Sequence, residues 1–423
     1  MNVLLIGGGG REHAMGWRLS KSGATVTSAP GNPGLADLGE VRSIIPDSPS
    51  EVAAAARDFD LVVIGPERPL AAGVADAVRA VGVPCLGPGI DGARLESSKA
   101  FAKDVMTSAG IPTGRYFEVS NMEAVGKAID EMTPGPYVVK ADGLAGGKGV
   151  LVTDDIEAAR SWAHECLEGR FAEAGDTVII EEYLEGPELS VFVLTDGVTF
   201  VPFGTARDYK RLGDGGTGPN TGGMGCFSPV PLPSGLLDSI HADVVAPVLA
   251  ELRARNIDYR GFLYTGLVLT ADGPRVLEFN CRLGDPEAQV VLPRLRGDFG
   301  AMLMAAATGE GLDRESLRWW EKAAVDVVLA SPGYPEATRA GQPIHGLHLV
   351  THLDDVLVFH SGTRFKRGEI VSSGGRVINV VGMGTDIPTA RRHAYDAAAL
   401  IAFSGKQYRT DIADEVSVQK GAT

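Results

Sequence analysis

Short apolar runs alternate with helical segments in the first part of the chain. Residues 3–6, 25–29 and 61–64 are apolar runs of strand length, and residues 13–20 have the apolar spacing of a helix. Strands that alternate with helices are typical of a parallel sheet with helices on both faces. We therefore predict an N-terminal doubly wound parallel sheet, closed by an amphipathic helix over residues 93–109.

The pattern changes after Gly110-Ile111-Pro112, where a second unit is predicted to begin. Its predicted elements are strands 137–140 and 150–153 around a glycine-rich turn, helix 156–167, strand 177–182, an antiparallel pair over 189–204, a polar loop over 207–228, helix 236–255, and a hairpin of strands 262–270 and 275–280. Strands 324–330 and 377–381 and helix 387–401 then predict a separate small α+β lobe.

Length and composition fit this division. At 423 residues the chain is long enough for about three domains. We predict a multidomain α/β and α+β protein with an N-terminal substrate domain over 1–100, a central domain over 101–320 whose subdomain 115–187 moves, and a C-terminal domain over 321–423.

Charge and cysteine content exclude several classes of function. A net charge of -15 argues against a nucleic-acid or anionic-membrane partner, since both require a dense basic patch. The four cysteines form no C-x-x-C motif, so neither a zinc site nor a disulfide framework is indicated. No apolar run approaches the roughly 18 residues that would span a membrane, and no signal peptide is evident, so a cytoplasmic location is expected.

The strand over residues 275–280 contains a candidate metal site. Side chains alternate between the faces of a strand, so Glu278 and Asn280 should project together while Leu277 and Phe279 face a core. One carboxylate and one amide oxygen, completed by phosphates and water, suit a hard divalent cation. An E-x-N pair alone is more often merely solvated, so this interpretation depends on the neighbouring motifs.

Two further segments favour a nucleotide. Lys140 ends a strand and is followed by a loop with four glycines that contains Lys148, a composition that allows backbone N–H groups and lysines to approach phosphates. The loop is not a Walker A motif, because Asp142 and Gly149 replace the required glycine and hydroxyl residue. The acidic end of the next strand, around Glu181 and Glu188, could meet adenine and ribose hydroxyls.

The chain resembles the ATP-grasp superfamily in the order and spacing of five features: Lys99, Lys140, the glycine loop, Glu181–Glu188 and Glu278-x-Asn280. Longer motifs resemble one family within it, the phosphoribosylamine–glycine ligases. These motifs are Gly9-Gly-Arg-Glu-His13, Gly31-Asn-Pro-Gly34, Gly65-Pro-Glu67, Lys140-Ala-Asp-Gly-Leu144, Thr217-Gly-Pro-Asn-Thr-Gly-Gly-Met-Gly225 and Glu278-Phe-Asn-Cys-Arg-Leu-Gly-Asp-Pro-Glu287.

This resemblance implies a ligase of purine biosynthesis that converts ATP to ADP and phosphate while joining glycine to 5-phosphoribosylamine through a glycyl phosphate. It also implies Mg²⁺ or Mn²⁺ as cofactor, and leaves room for direct handover of the labile amine from the preceding enzyme. Closure of the glycine loop would keep water from the acyl phosphate.

The resemblance also implies roles for individual residues. Expected catalytic residues are Arg282, Lys140 and Lys210, and expected metal ligands are Glu278 and Asn280. The expected ATP-binding set is Lys99, Lys140, Gly146, Gly147, Lys148, Gly149, Glu181, Glu182, Tyr183, Leu184 and Glu188. The expected substrate-binding set is Gly9, Gly10, Arg11, Glu12, Glu67, Asp208, Lys210, Arg211, Arg282 and Asp285.

The sequence departs from the family at three places. Many members have alanine at Gly146 and histidine at Tyr209, which puts an imidazole role there in doubt, and the strand before Glu278 has Thr265 where many ATP-grasp enzymes have another carboxylate. Two rival interpretations are weaker. A nicotinamide oxidoreductase would need glycine at Glu12 or His13 to complete G-x-G-x-x-G, and a nucleotide sensor without activity would have no need of the complete set of polar residues.

Overall fold

The structure is a computed structural model that describes residues 1–146, 149–171, 177–313 and 317–418. The N-terminal unit contains β1 (Asn2–Gly7), α1 (Gly10–Lys21), β2 (Thr25–Pro30), α2 (Pro33–Ala36), β3 (Glu40–Val41), α3 (Pro49–Ala56), β4 (Leu61–Ile64), α4 (Glu67–Ala71), α5 (Val74–Ala80), β5 (Cys85–Leu86) and α6 (Ile90–Ser97). Its strands form a parallel sheet in the order β3-β2-β1-β4-β5.

Strand β1 lies at the centre of this sheet because its side chains are apolar on both faces. Val3, Leu4, Leu5 and Ile6 are all fully buried, as expected for a parallel strand covered by helices on both sides. The predicted doubly wound N-terminal sheet is confirmed. Its carboxyl ends carry the loops before α1 and α4, which is the edge where ligands bind in such sheets.

The central part contains α7 (Lys99–Ser108), β6 (Tyr116–Val119), α8 (Met122–Met132), β7 (Tyr137–Ala141), β8 (Val150–Thr153), α9 (Ile156–Leu167), β9 (Val178–Glu182), β10 (Glu188–Thr195), β11 (Phe200–Asp208), β12 (Arg211–Gly213), β13 (Thr217–Asn220), β14 (Gly225–Ser228), α10 (Leu236–Ile240), α11 (Ala246–Ala254), β15 (Gly261–Thr270), β16 (Gly273–Asn280), α12 (Ala288–Val291), β17 (Leu295–Arg296) and α13 (Phe299–Thr308). The C-terminal part contains β18 (Arg318–Trp319), β19 (Ala323–Ala330), α14 (Leu347–Val350), β20 (Val356–His360), β21 (Thr363–Lys366), β22 (Glu369–Ser372), β23 (Arg376–Gly384), α15 (Ile387–Leu400) and α16 (Asp414–Val418).

Two antiparallel sheets enclose the site. The smaller has the order β6-β9-β7-β8, and α8 and α9 pack on it through a separate apolar cluster that includes Val125, Ile129 and Ala163. The larger has the order β16-β15-β10-β11-β14-β19-β23-β20. The two sheets correspond to the two-part ATP-grasp domain predicted from the sequence.

The C-terminal lobe is α+β as predicted, but it is not separate. Strand β19 pairs with β14 of the central part, from Gly225↔Val327 to Ser228↔Ala324, so one sheet runs through both regions. The backbone groups of β14 would otherwise be left unpaired at an edge. The predicted limits of the three domains stay predictions.

Three other expectations need correction. The helix predicted over 93–109 is two helices, because the Ser98 side chain accepts a hydrogen bond from Phe101 N (3.1 Å) and starts α7. The helix predicted over 236–255 contains a π-helical turn, His241–Val245. The polar loop predicted over 207–228 contains the hairpin β12–β13 and strand β14.

Candidate active site

A central cleft of about 540 Å³ lies between the two antiparallel sheets and the N-terminal unit. The side chains and loops of most predicted site residues line it: Arg11, Glu67, Lys99, Lys140, Gly146, Gly149, Glu181, Glu182, Tyr183, Leu184, Glu188, Asp208, Lys210, Glu278, Asn280, Arg282 and Asp285. These residues come from distant parts of the chain, so the fold brings together what the sequence motifs presented separately.

Strand β16 presents Glu278 and Asn280 to this cleft. A β-bulge interrupts the alternation, since Gly266 pairs with Glu278 while Leu267 pairs with Val276. Leu277 is therefore left without a partner and lines the cleft, while Val276 and Phe279 are buried. The expectation that Leu277 faces a core is wrong for this reason.

The charge around Glu278 suits a metal ligand. Burial raises the pKa of this carboxyl, but lysines of the cleft, foremost Lys210 and Lys140, outweigh burial and lower it. Glu278 is therefore ionised at neutral pH. Among the described residues, no group of three or more acidic, histidine or cysteine side chains could enclose a metal by itself, so phosphate and water oxygens would have to complete a shell around Glu278 and Asn280.

Hydrogen-bond chemistry assigns the orientation of the Asn280 amide. One of its two terminal atoms lies 3.1 Å from Phe279 O and 3.1 Å from Glu96 Oε1, and since both neighbours are acceptors we assign this atom as the nitrogen that donates to them. An amide has one donor end and one acceptor end, so its oxygen is directed away from these acceptors. Asn280 thus retains a free oxygen with which it can bind a cation.

A buried lysine–glutamate–lysine cluster, formed by Lys103, Glu181 and Lys140, connects α7, β7 and β9 at the wall of the cleft. Glu181 Oε1 lies 3.0 Å from Lys140 Nζ, and its Oε2 lies 3.1 Å from Lys103 Nζ. Burial alone would raise the pKa of Glu181, but the two lysines outweigh it and lower the pKa. Each oxygen of Glu181 is therefore paired with a lysine, and Glu181 holds Lys140 at the cleft. Its predicted contact with ATP stays a prediction.

The second lysine expected at the phosphates, Lys99, is held at the start of α7. Asp142, directly after β7, accepts hydrogen bonds from Lys99 N, Ala100 N (3.2 Å) and Ser98 Oγ (3.1 Å). The Lys99 ammonium donates to Gly143 O over 2.9 Å. Burial lowers the pKa of Lys99, while Glu278 opposes this effect. The Lys140-Ala-Asp142 motif therefore caps a helix as well as presenting a lysine.

The segment between β11 and β12 supplies a further charged group, Lys210, which pairs with Glu188 at the start of β10. Lys210 Nζ lies 2.6 Å from Glu188 Oε2. Although burial lowers the pKa of Lys210, Glu188 and Asp208 raise it well above its ordinary value. Lys210 is accordingly a permanent cation near Glu278, and Glu188, expected at the ribose, is its ion-pair partner.

The loop before α1 meets the segment after β16. Arg11 donates from Nε to Glu12 Oε1 (2.6 Å) and from Nη1 to Leu283 O (3.2 Å), while Gly9 N donates to Glu12 Oε2 (2.7 Å). Glu12 is therefore buried beneath the loop and fixes its shape. Glu67 Oε2 lies 3.4 Å from Arg282 Nε and 3.9 Å from Arg11 Nη2, so it joins the two arginines.

A second cleft of about 480 Å³ adjoins the first, and Asp285 and Arg376 line both. The rest of this glycine-rich cleft is formed by Gly8, Gly9, Pro30, Gly31, Ser361, Gly362, Thr363 and Ser373. Arg376 Nη1 lies 3.3 Å from Asp285 Oδ1. Backbone N–H groups before a helix, hydroxyl groups and an arginine are suited to a phosphate group.

Close packing explains the glycines of this region. A Cβ atom at Gly10 would lie only 2.5 Å from Asn379 Nδ2 and 2.6 Å from Gln289 Nε2. The start of α1 therefore fits against β23 and α12 only with glycine. Gly10 is buried behind the loop, while Gly9 lines the glycine-rich cleft.

Some predicted residues are placed elsewhere. Arg211 is exposed on the β12–β13 hairpin and donates to Gly218 O (2.9 Å), outside both clefts. Tyr209 points to the C-terminal region, where its hydroxyl donates to Glu415 Oε1 (2.6 Å) and accepts from Ala413 N (2.9 Å). Gly147 and Lys148 lie outside the described residues.

The sequence motifs missed several residues of the site. Glu96, Lys103 and Arg376 all line the central cleft. Lys103 lies one turn after Lys99 on α7, and Glu96 lies three residues before Lys99 at the end of α6, so closeness in sequence was an available signal. Arg376 belongs to a C-terminal strand without a recognisable motif.

Comparison with known proteins gives the family. The phosphoribosylglycinamide synthetase N domain matches residues 1–96, the ATP-grasp (A) domain residues 97–288 and the C domain residues 324–415. The chain belongs to the phosphoribosylglycinamide synthetase family. It is thus an ATP-grasp ligase, as the sequence motifs predicted, and ligases of this type use ATP and a divalent metal ion.

Full-length relatives agree with this assignment. The chain is 49% identical to a phosphoribosylamine–glycine ligase of Streptomyces coelicolor, over 98% of this chain and 99% of the relative. It is 44% identical to the enzyme of the same name from Caulobacter vibrioides, over 97% of each. The crystal structure of the Thermotoga maritima phosphoribosylamine–glycine ligase superposes with a TM-score of 0.86 at 37% identity, covering 97% of this chain and 100% of that one.

More distant structures share the fold alone. A biotin carboxylase from Campylobacter jejuni superposes with a TM-score of 0.73 at 16% identity, covering 96% of this chain and 92% of that one. Of the helices that the structure describes, none has the length and apolar character needed to cross a bilayer.

Proposed function

We propose that the protein joins glycine to 5-phosphoribosylamine at the expense of ATP, through a glycyl phosphate, in purine biosynthesis. The observation that carries this proposal is the junction of the two clefts at Asp285 and Arg376. A nucleotide in the central cleft and a phosphoribosyl group in the glycine-rich cleft would place their reactive ends near the same two side chains.

The first step is transfer of a phosphoryl group. A glycine carboxylate oxygen attacks the γ-phosphorus of ATP, the bond to the β-phosphate breaks, and ADP leaves. Lys99, Lys140 and Lys210 would balance the charge on the phosphates, and Glu278 and Asn280 would hold the cation. A divalent cation bound there, Mg²⁺ or Mn²⁺, would polarise the phosphoryl oxygens.

The second step is acyl transfer. The amine of phosphoribosylamine attacks the carbonyl carbon, phosphate leaves with the original carboxylate oxygen, and the amine loses one proton to the departing phosphate. Arg282, held by Glu96 (2.6 Å) and Glu67, is the residue we propose for the glycine carboxylate or the transferred phosphoryl group. Its planar guanidinium suits either anion.

The phosphoribosyl group is proposed to lie with its phosphate in the glycine-rich cleft and its amine toward Asp285. Gly9, Ser361, Thr363 and Arg376 supply the backbone and side-chain donors there. A cytoplasmic location is part of the proposal. Handover of the labile amine from a preceding enzyme stays a prediction without support from the site geometry.

The test is release of ADP and phosphate with each substrate withheld in turn. We expect release to require ATP, glycine and freshly made phosphoribosylamine, and Glu278→Gln to reduce it sharply while the fold is kept. The control is Glu369→Gln, an exposed carboxylate on β22 outside both clefts. Equal ADP release with other amino acids would contradict the glycine assignment.

A further inference from the structure

Glu96 lies where the N-terminal unit meets the metal strand. It is near the end of α6, and its side chain is only 7% exposed. Three consecutive residues contact its carboxylate. Cys281 N donates to Oε2 over 2.7 Å, the Arg282 guanidinium donates to Oε1 over 2.6 Å, and the Asn280 amide donates to Oε1 over 3.1 Å.

We infer that Glu96 is a positioning residue that turns the amide oxygen of Asn280 toward the bound cation and holds Arg282 beside it. This inference rests on the proposed function, because it assumes that Asn280 is a metal ligand. It assigns to Glu96 a part in metal binding although the carboxylate does not itself bind the metal.

The two ends of an amide differ in what they can bind. Asn280 could present either its oxygen or its nitrogen to the cleft, and the nitrogen cannot bind a cation. Glu96 Oε1 accepts from the Arg282 guanidinium and Oε2 accepts from Cys281 N. The group that faces the Asn280 amide is therefore an acceptor, as is Phe279 O, and both require the amide nitrogen on their side. The isosteric change Glu96→Gln supplies a side chain that can also donate, so Phe279 O alone still requires the nitrogen and the preference between the two orientations is weakened.

Arg282 is held by the same carboxylate and one other. Its Nη2 donates to Glu96 Oε1, its Nε lies 3.4 Å from Glu67 Oε2, and its Nη1 donates to Leu283 O over 3.2 Å. The guanidinium is therefore fixed on three sides. Asn280 and Arg282 share one oxygen of Glu96, so the position of the metal ligand relative to the arginine is fixed.

A purely structural role is the alternative, because the bond from Cys281 N also ties α6 to the end of β16. The two roles differ in what they change. A structural role would alter stability and nucleotide binding in general. Orientation of Asn280 would alter metal affinity and leave metal-free nucleotide binding unchanged.

The experiment measures Mn²⁺ binding to the full-length chain with ADP present, by electron paramagnetic resonance. Loss of a partner that orients a metal ligand typically weakens affinity about 10- to 100-fold, and we expect this for Glu96→Gln. ADP binding in EDTA and the melting temperature should stay close to wild type. Asp91→Asn is the matched control, an exposed carboxylate on the same helix, and should leave Mn²⁺ affinity unchanged.

A second variant isolates the amide. Asn280→Asp provides oxygen on both sides, so adding Glu96→Gln to it should no longer weaken Mn²⁺ binding. A persistent loss in that background, or a Glu96→Gln variant with wild-type Mn²⁺ affinity, would overturn the inference. A Glu96→Gln variant that loses metal-free ADP binding in parallel would also overturn it, in favour of the structural role.

One readout needs no variant. In a crystal structure of the wild-type Mn²⁺·ADP complex, Asn280 should ligate the metal while its other amide atom lies within about 3.5 Å of Glu96. An Asn280 side chain turned away from Glu96 would contradict the inference. The substrate requirement of wild-type ADP release is measured separately, so failure of the proposed function is distinguishable from failure of this inference.

Discussion

The contribution of the buried cluster of Lys103, Glu181 and Lys140 to the stability of the cleft wall, formed by α7, β7 and β9, can be measured directly. The side chains of Lys103 and Glu181 are 2% and 4% exposed. Lys103→Met keeps the length of the side chain and removes its charge, leaving Glu181 with Lys140 alone. Thr113, which accepts a hydrogen bond from Lys103 over 2.8 Å, still donates to Val276 O over 2.7 Å in the variant. The group that chiefly loses a partner is therefore the Glu181 carboxylate.

The magnitude follows from burial. Removing one partner of a buried ion pair costs about 3–5 kcal/mol, because the remaining charge is left without compensation. Lys140 still lies 3.0 Å from Glu181, so we expect the lower end of that range, about 3 kcal/mol. Since about 1.4 kcal/mol is a tenfold change, this corresponds to about a hundredfold increase in local opening of the wall.

The assay is hydrogen exchange of peptides from α7 and β9, combined with urea unfolding. Lys127→Met is the matched control, because Lys127 and Glu123 form an exposed pair (2.7 Å, side chains 72% and 80% exposed). We expect that variant to lose less than about 0.5 kcal/mol. Adding Glu181→Gln to Lys103→Met should not restore the stability, because the buried Lys140 ammonium then loses its carboxylate partner. Similar losses for Lys103→Met and Lys127→Met would refute the reasoning.

Three further predictions concern pH, capping and substrate affinity. Burial lowers the pKa of His13 to about 3 and that of His360 to about 4. In the unfolded chain both imidazoles bind a proton near pH 6.5. The free energy of unfolding should therefore fall by up to about 1.4 kcal/mol per pH unit per histidine as pH drops from 6.5 toward 4. Urea unfolding at several pH values should show that the free energy of unfolding of His360→Asn depends less steeply on pH than that of the wild type. An identical pH dependence of the two proteins would contradict this. Asp142→Ala removes the acceptor for the first two N–H groups of α7, those of Lys99 and Ala100, while the Ser98 cap remains. It should cost about 1 kcal/mol and weaken ATP binding through Lys99, and unchanged ATP affinity would count against it. Arg376→Gln should raise KM for phosphoribosylamine about tenfold, the loss of one charge-assisted bond, and an equal rise for all three substrates would refute a role at the phosphoribosyl group.

Local patterns were sufficient for much of the fold. The fully buried strand β1 and the strands around the glycine loop were predictable because each has a continuous or alternating apolar pattern of its own. The bulge at Leu277 was not predictable, since it depends on the register with β15. The helix break at Ser98 had a signal, a serine at a capping position followed by a helix, but one apolar pattern ran across it.

The site could be predicted as a set of residues, but not as a network. Glu278, Asn280 and Lys140 belong to motifs, and the structure places them in one cleft. Glu96 contacts Arg282 across 186 positions of the chain, and no local pattern in a single sequence reports such a contact. The same holds for Arg376, which reaches the cleft because β23 shares the large sheet.

The central claim is that glycine is activated as an acyl phosphate in the central cleft. Its most direct test uses glycine labelled with oxygen-18 in both carboxylate oxygens, with ATP and phosphoribosylamine, and mass spectrometry of the phosphate released. The account predicts that each phosphate carries one labelled oxygen, transferred from the carboxylate when the acyl phosphate is attacked by the amine. Formation of the amide product with phosphate that contains no label would contradict it.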